Sequence, residues 1–305
     1  MTQDIRAQVD AIPGTSESAR WADMLKRSGY CIIPNLMPPT DIARLNAALD
    51  PVFEATPFCE GGFYGARTKR FGRLLARSPI AEVLVEHPMI HAVVESVLKP
   101  NCDTIQLNVT QAIEIHPGEF AQAPHRDQDM WQGAMGIQEY LVNVMWPLTP
   151  FRRENGATVI WPNSHGTAAL EPDPDRPGIA AECPPGSAIL FLGSTLHHGG
   201  ANLSNSKRRG LVIGYSLGWL RTYENQFLAY PPEVARCFSP SLQALVGYCQ
   251  HRPNLGNYEG QCPSVVLRDD ACEHLAAIDT LRPDQQDMIA AHVARERAAR
   301  LGNAR

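Results

Sequence analysis

A histidine and two carboxylates lie within five residues of one another in the segment 125–129, HRDQD. If this segment is extended, side chains two residues apart share a face, so His125 and Asp127 point the same way and Arg126 points away. One imidazole and one carboxylate are two of the three ligands in the facial triad that binds Fe(II) in non-haem oxygenases. The pair therefore predicts a metal site, provided that a third ligand comes from elsewhere in the chain.

The best candidates for the third ligand are two adjacent histidines in the stretch FLGSTLHHGGANLSNSKRRG. They follow the β-rich run SAILFL and precede Gly199 and Gly200, where the missing Cβ atoms let the backbone approach a site closely. Only one histidine is needed. We prefer His197, and His198 remains the alternative.

Arg208 follows His197 by eleven residues and begins the next β-rich run. Because a guanidinium binds a carboxylate through two parallel hydrogen bonds, Arg208 is a candidate anchor for the far end of a dicarboxylate cosubstrate lying on the metal. Each pattern alone has a simpler interpretation: HxD as a surface loop, HHGG as a turn, and KRR as the charged edge of a strand. Their occurrence together, in this order, favours the metal site.

Composition excludes several classes of protein. The 305 residues are 44% hydrophobic and 19% charged, which supports a sizeable core and argues against disorder. The net charge is −5 without a long basic run, so nucleic acid is not expected as a partner. No stretch approaches the roughly 18 apolar residues of a membrane span, and residues 1–21 lack an apolar signal core. We expect a cytoplasmic protein whose partner is a small-molecule substrate, with a homodimer as an open alternative.

The eight cysteines carry no CxxC spacing, so we expect reduced thiols and neither a disulfide framework nor a zinc ribbon.

Hydrophobic periodicity predicts a β core flanked by helices within a single domain, 1–305. Residues 1–100 are mainly helical, and one helix, SESARWADMLKRSG, ends at Gly29. Between about 103 and 220 the period approaches two, and from about 230 to 305 the pattern is helical again. The β-rich runs are TIQLNVTQAIEIH, EYLVNVMWPL, GATVIWP, GSAILFLGS and RGLVIGYSLGWL. Short strands at this spacing indicate a sandwich or barrel.

Several stretches resemble the phytanoyl-CoA dioxygenase family, a branch of the Fe(II)/2-oxoglutarate oxygenases, over roughly residues 25–230. The matching stretches are GYCIIPNLMPPTDIARLNAALD, the HRD of the HxD motif, ENGATVIWPNSH at 154–165 and HHGGANLSNSKRR. TKRFGRLLARSP and GYSLGWLRTYENQFL are most similar to members that tailor natural products in bacteria and fungi.

The resemblance implies a mainly β fold with flanking helices, built on a double-stranded β-helix (a jelly-roll, cupin-like core). It implies Fe(II), 2-oxoglutarate and O₂ as cofactor and cosubstrates. His125, Asp127 and His197 carry over as iron ligands, and His197 is chosen because Asn202 stands five residues on, where the family's asparagine usually falls. The presence of Asp127 argues against halogenation, since related halogenases have Gly or Ala there.

The resemblance also implies how the cosubstrate and the substrate are bound. Arg208 carries over as the anchor of the C5 carboxylate of 2-oxoglutarate, with Arg209 as the alternative, and Gln122 and Thr158 carry over to the same pocket. Four further residues are expected at the substrate entrance: Thr68, Lys69, Arg70 and Trp131.

The reaction expected from the resemblance is oxidation of an unactivated C–H bond in a bulky, largely apolar molecule of secondary metabolism. An acyl-CoA 2-hydroxylase is the alternative, although no basic cluster is evident for the phosphates of CoA. A zinc hydrolase using the same three ligands and a non-catalytic β-sandwich binding module are the rivals from other classes.

Overall fold

Two antiparallel sheets form the core of the computed structural model, which describes residues 16–268 and 274–302. Within the described residues the strands are β1 Tyr30–Ile33, β2 Thr68–Phe71, β3 Ile105–Ile115, β4 Leu141–Pro147, β5 Thr158–Ile160, β6 Ile179–Ala180, β7 Ala188–Leu192, β8 His197–Gly199 and β9 Arg208–Leu217. The larger sheet has the order β1-β7-β4-β9-β3-β2, and the smaller one has the order β6-β5-β8.

Helices precede and follow the strands. In the described part of the chain they are α1 Glu17–Ser28, α2 Pro39–Ala55, α3 Pro79–Val85, α4 Pro88–Leu98, α5 Gln226–Ala229, α6 Pro232–Ala235, α7 Pro240–Leu245 and α8 Pro283–Gly302. None of these helices has the length and apolar character needed to cross a bilayer.

Helix α1 shows how local sequence sets an element boundary. Ser16 caps its start by accepting a hydrogen bond from Ala19 N at 3.3 Å, and Glu17 in the first turn suits the helix dipole. The helix ends as predicted at Gly29, which adopts the left-handed conformation at φ 80°. This turn directs the chain into β1 at the edge of the larger sheet.

Replacing Gly29 by alanine is expected to lower the free energy of unfolding by about 2 kcal/mol or more, because a left-handed backbone strains a residue with a side chain. The added Cβ would also lie 2.6 Å from both His165 Nδ1 and Thr195 Oγ1. Gly62→Ala is the matched control, since nothing lies within 4 Å of its added Cβ. Urea denaturation of both variants measures the difference, and equal stabilities would contradict this account of the turn.

One face of the larger sheet forms part of the hydrophobic core, and the other lines a cavity. One face packs against the helices through the main hydrophobic core, to which β4 contributes Val142, Val144 and Trp146. The alternate residues of β4, including Leu141 and Asn143, line a cavity on the other face. A second apolar cluster lies between the two sheets. Because alternate residues of β4 face opposite sides of the sheet, the strand places the polar side chain of Asn143 in the cavity while its apolar side chains fill the hydrophobic core.

The predicted mainly β architecture with flanking helices is confirmed, and each of the five β-rich runs contains a strand. Strand β2, Thr68–Phe71, was not predicted. The extended conformation predicted for the HxD segment is wrong beyond Arg126, because a 3₁₀ turn begins at Asp127 and runs to Met130.

Candidate metal centre

The backbones of His125 and His197 are joined by two hydrogen bonds, which bring their side chains close together. His125 N donates to His197 O at 3.0 Å, and His197 N donates to His125 O at 3.0 Å. His197 is the first residue of β8, so this pair joins the HxD segment to the smaller sheet. Residues far apart in sequence are thereby placed side by side by hydrogen bonds that do not depend on their side chains.

The side chains of His125, Asp127 and His197 converge on one point. Asp127 Oδ1 lies 3.5 Å from His125 Nε2, and Asp127 Oδ2 lies 3.6 Å from His197 Nε2. One ligand atom from each residue lies within 4.8 Å of the other two. Two imidazoles and one carboxylate at this spacing fit a divalent metal of the Fe(II) type and leave its remaining positions open.

Hydrogen bonds select the tautomer that metal binding needs. His125 Nδ1 lies 2.9 Å from Ala123 O, and His197 Nδ1 lies 3.0 Å from Thr195 O. A carbonyl oxygen only accepts, so each Nδ1 carries the proton and each Nε2 keeps its lone pair. Both lone pairs face Asp127, which is the arrangement found in metal-binding histidines whose outer partners fix the ring.

Burial and the neighbouring charges shift the pKa values of all three residues. Burial lowers the pKa of His197, so its ring is neutral at neutral pH. Burial would raise the pKa of Asp127, but the neighbouring rings of His197 and His125 outweigh it and keep the carboxyl ionised. Burial would lower the pKa of His125, but the negative charge of the adjacent Asp127 outweighs it and gives a net upward shift.

Asn143, which sequence reasoning missed, orients the carboxylate. Its Nδ2 donates to Asp127 Oδ2 at 2.9 Å from the cavity face of β4, where it is 1% exposed. A single polar residue within the apolar run LVNVMW was the available signal, because a buried amide requires a partner.

Replacing Asn143 by leucine is expected to weaken Fe(II) binding by about 10- to 100-fold, the usual cost of removing a partner that orients a metal ligand. Competition with a chelator measures the affinity, and thermal unfolding of the metal-free protein controls for misfolding. An unchanged affinity in a folded variant would show that Asn143 does not hold Asp127.

His198, the alternative third ligand, lies on the opposite side of β8. Its Nδ1 is bonded to Gly199 O at 2.7 Å, and its ring packs against Trp161 with centroids 5.4 Å apart. Adjacent residues of a strand face opposite ways, so only one of the two histidines can join Asp127.

Arg208 is a buried cation without an acidic partner among the described residues. It is 1% exposed, its guanidinium carbon lies 3.8 Å from the centroid of the Phe151 ring, and its Nε has no hydrogen-bond partner. Nη2 donates to Thr158 Oγ1 at 3.4 Å. Burial, reinforced by the charge of Arg70, lowers the pKa of Arg208 to about 9. A cation in this setting is stabilised by an incoming anion.

Arg209, the alternative anchor, has its partners already. Its Nε donates to Glu114 Oε2 at 2.6 Å, and its Nη1 donates to Asn46 Oδ1 at 3.0 Å and contacts Asp50. These contacts lie on the opposite side of β9 from Arg208, toward helix α2. Arg209 therefore serves the packing of the helices on the sheet.

A cavity of about 490 Å³ connects the three candidate ligands to Arg208. This volume lies within the range of small-molecule sites, roughly 300–1,000 Å³. Gln122 and Thr158, expected in the cosubstrate pocket, line it. Gln122 Nε2 donates to Phe63 O at 2.9 Å, and its Oε1 accepts from Gly199 N at 3.0 Å.

Of the four residues expected at the entrance, Arg70 lines the cavity and the other three are occupied elsewhere. Thr68 Oγ1 donates to Glu119 at 2.9 Å, Lys69 Nζ donates to Phe53 O at 2.7 Å, and Trp131 Nε1 donates to Arg221 O at 2.9 Å. In place of Trp131, Met130 of the same 3₁₀ turn lines the cavity. Residues three apart align in a 3₁₀ turn, so Met130 falls on the side of Asp127.

Aromatic residues that sequence reasoning missed complete the cavity. The Phe63 ring lies 4.8 Å from that of His125, and the Phe191 ring lies 4.5 Å from that of His197. The hydroxyls of Tyr64 and Tyr223 are 2.6 Å apart and join two loops across the cavity. These residues stand in loops or in an apolar run, where the sequence offers no pattern that marks a site.

Comparison with known proteins connects this geometry to a family. A family model described as phytanoyl-CoA dioxygenase matches residues 25–210. The dioxygenase aneA of Aspergillus aculeatus is 30% identical over 257 residues, which cover 78% of this chain and 86% of that relative. The multifunctional dioxygenase ausE of Aspergillus calidoustus is 30% identical over 265 residues, which cover 79% of this chain and 87% of that relative.

Solved structures share the fold. The non-haem α-ketoglutarate-dependent epimerase SnoN from nogalamycin biosynthesis superposes with a TM-score of 0.55 at 20% identity, over 67% of this chain and 85% of SnoN. HygX from Streptomyces hygroscopicus, solved with nickel, 2-oxoglutarate and hygromycin B, gives a TM-score of 0.52 at 14% identity, over 69% of this chain and 90% of HygX. These likenesses confirm the jelly-roll core expected from the sequence.

Proposed function

Because this chain belongs to the phytanoyl-CoA dioxygenase family, we propose that it is a non-haem Fe(II)- and 2-oxoglutarate-dependent dioxygenase of secondary metabolism. Its substrate is a bulky, largely apolar small molecule, oxidised at an unactivated C–H bond. His125, Asp127 and His197 hold the iron, and Arg208 holds the C5 carboxylate of 2-oxoglutarate.

The observation that carries this proposal is the unpaired, buried Arg208 in the same cavity as the three candidate ligands. A zinc hydrolase would need the ligands but would have no use for this cation. Burying an unpaired charge is costly, so its presence indicates a ligand that supplies the opposite charge. A dicarboxylate reaching from the metal to Arg208 meets that requirement.

Arg70 provides a second positive charge in the cavity, close to the candidate metal ligands. Burial lowers the pKa of its guanidinium, and Asp127 is among the nearby charges that act on it in the opposite direction. Its Nη1 donates to Gln111 Oε1 at 3.1 Å, while its Nε has no partner. The dianion 2-oxoglutarate therefore meets a cation near each end, Arg70 beside the metal ligands and Arg208 at the far wall.

When bound, iron would supply the oxidation, activating O₂ together with 2-oxoglutarate to yield succinate, CO₂ and an oxidised substrate. The protein contributes orientation and a dry cavity. Phe63 and Phe191 cover the two histidine rings and limit the access of water to them. Asn143 and the backbone carbonyls keep the ligand atoms aimed at one point.

The remaining walls indicate the character of the substrate. Val109, Ile113, Met145 and Val212 give the cavity an apolar surface. Tyr64 and Tyr223 supply hydroxyls at one side, and two hydroxyls that share one hydrogen bond leave one proton free to donate. A hydrophobic small molecule carrying one accepting oxygen, such as a carbonyl, fits these walls.

Anaerobic binding of 2-oxoglutarate to the Fe(II)-loaded protein, followed by admission of O₂, tests the proposal without a known substrate. We expect 2-oxoglutarate binding that requires Fe(II), and slow succinate release that requires both Fe(II) and O₂. Zn(II) in place of Fe(II) is expected to give no succinate. If Fe(II) and 2-oxoglutarate fail to bind, or if a Zn(II)-dependent hydrolysis is found, the assignment is wrong.

A further inference from the structure

A row of hydrogen bonds runs along one wall of the cavity, from strand β2 to the loop after β9. Arg70 Nη1 donates to Gln111 Oε1 at 3.1 Å, and the hydroxyls of Tyr64 and Tyr223 lie 2.6 Å apart. All four side chains line the cavity, and the guanidinium carbon of Arg70 lies 5.1 Å from the centroid of the Tyr64 ring. The direction in which this row donates decides which proton is left for a substrate.

Arg70 sets the direction at one end of the row. A guanidinium has donors only, so it faces the oxygen of the Gln111 amide and leaves the amide nitrogen for the next member. That nitrogen bonds the hydroxyl of Tyr223, whose oxygen therefore accepts. A hydroxyl that accepts on one side donates more strongly on the other, so Tyr223 directs its own proton to the Tyr64 oxygen.

The pKa of Tyr223 supports the same direction. Burial raises this pKa, and the hydrogen bond with Tyr64 raises it further, as for a hydroxyl that donates its proton. The hydrogen bond with Gln111 opposes the rise, as for a phenol oxygen that accepts. Among the described residues the Tyr64 hydroxyl bonds only that of Tyr223, so it accepts there and keeps its own proton for another acceptor.

The two tyrosines are held by different kinds of backbone. Tyr223 N donates to the buried side chain of Asn108 at 2.9 Å, which ties the loop after β9 to strand β3. Tyr64 stands in a turn between β-strands, where Gly65 N donates to Gly61 O at 3.3 Å and both glycines have positive φ. Tyr223 is thus fixed to the sheet, whereas Tyr64 is carried by a loop.

We propose that Tyr64 is a specificity-determining residue whose hydroxyl donates to a substrate oxygen that only accepts, such as that of a ketone, an ester or an ether. Arg70, Gln111 and Tyr223 are positioning residues that keep this hydroxyl a donor. The neighbouring Phe63 ring packs against a candidate metal ligand, so the donor lies at the metal end of the cavity. The inference rests on the proposed function, because it takes the occupant of the cavity to be an apolar small molecule.

Three molecules with one carbon skeleton test the proposal: camphor, a ketone; borneol, the corresponding alcohol; and bornane, the hydrocarbon. Their binding to the full chain is measured without O₂, with and without Fe(II) and 2-oxoglutarate, from the concentration of each volatile probe in the headspace. Ratios of dissociation constants within one protein cancel changes that affect the cavity as a whole. Failure of all three probes to bind would overturn the assigned substrate class.

Tyr64→Phe is expected to raise the dissociation constant of camphor about 3- to 10-fold, as for one neutral hydrogen bond, and to change that of bornane less than about twofold. Tyr223→Phe leaves the Tyr64 hydroxyl in place and is expected to cost camphor less than about threefold. Tyr258→Phe, outside the cavity lining, is the matched control and is expected to change neither. Camphor binding unchanged in Tyr64→Phe, or a larger loss in Tyr223→Phe, would overturn the proposal.

Gln111→Glu is expected to reverse the row. A carboxylate beside Arg70 stays ionised and only accepts, so Tyr223 donates to it and accepts from Tyr64. The Tyr64 oxygen is then left as an acceptor, so camphor is expected to lose at least about threefold relative to borneol, whose hydroxyl both donates and accepts. An unchanged ratio of camphor to borneol would overturn the assigned direction.

Two features of this design keep its outcomes separate. Should Gln111→Glu fail to fold, the order of the effects of Tyr64→Phe and Tyr223→Phe still decides which hydroxyl donates. Because probe binding involves no turnover, a chain that binds the probes as expected but releases no succinate contradicts the proposed function alone. A chain that releases succinate but binds camphor equally well with and without the Tyr64 hydroxyl contradicts this inference alone.

Discussion

Replacing His197 by alanine is expected to weaken Fe(II) binding by more than about 100-fold and to reduce succinate release to background. Loss of a group that merely orients a ligand costs about 10- to 100-fold in affinity, and removing the ligand itself costs more. In the variant, His125 Nε2 and Asp127 Oδ1, which lie 3.5 Å apart, supply only two of the three metal-ligand atoms. Iron affinity by chelator competition and succinate release on exposure to O₂ are the measurements.

His198→Ala provides the matched control, since it removes the same side chain from the next position on β8. Its ring packs against Trp161 and faces away from Asp127, so iron affinity is expected to change less than about threefold. If His198→Ala loses iron and His197→Ala keeps it, the assignment of the third ligand is reversed.

Replacing Arg208 by alanine is expected to raise the KM for 2-oxoglutarate by about 100-fold or more while leaving iron affinity nearly unchanged. A charge-assisted pair in a buried site contributes roughly 2–5 kcal/mol, and losing it removes the anchor for one carboxylate. Arg208→Lys is expected to recover only part of the affinity, because an ammonium group cannot reproduce the paired hydrogen bonds of a guanidinium. Initial rates over a range of 2-oxoglutarate concentrations give the comparison.

The neighbouring Arg209→Ala is expected to have the opposite phenotype. It leaves the Glu114 carboxylate, whose side chain is fully buried, with fewer compensating partners, so the protein loses several kcal/mol of stability. Among molecules that remain folded, the KM for 2-oxoglutarate is expected to stay near its original value. An unchanged KM in Arg208→Ala together with a raised one in Arg209→Ala would transfer the anchor to Arg209.

Strands and helix ends were predictable from sequence because periodicity and turn residues are local properties. The runs containing β3, β4 and β9 alternate as strands do, and Gly29 ends α1 because its left-handed backbone needs no side chain. Strand β2 was not predictable in this way. Its residues Lys69 and Arg70 are charged, and their pairing with β3 is a long-range contact.

The candidate site was predictable where a residue type is chemically required and unpredictable where only position matters. Two imidazoles and a carboxylate are needed for the metal, so His125 and Asp127 stood out. The choice between His197 and His198 depends on strand alternation, and spacing alone left it open. Trp131 was expected at the entrance because it lies just past the HxD motif, but the 3₁₀ turn at Asp127 brings Met130 to the cavity instead.

The cavity is built from two kinds of backbone. His197, Thr158 and Arg208, which we propose to contact iron and the cosubstrate, stand on paired strands, whereas Tyr64 and Tyr223 reach the cavity from connecting loops. Exchange of residues in these loops leaves the strand ladder intact. For biocatalyst engineering, this separation recommends mutant libraries at Tyr64 and Tyr223. Such variants can accept new substrates while the residues that carry out the oxidation stay unchanged.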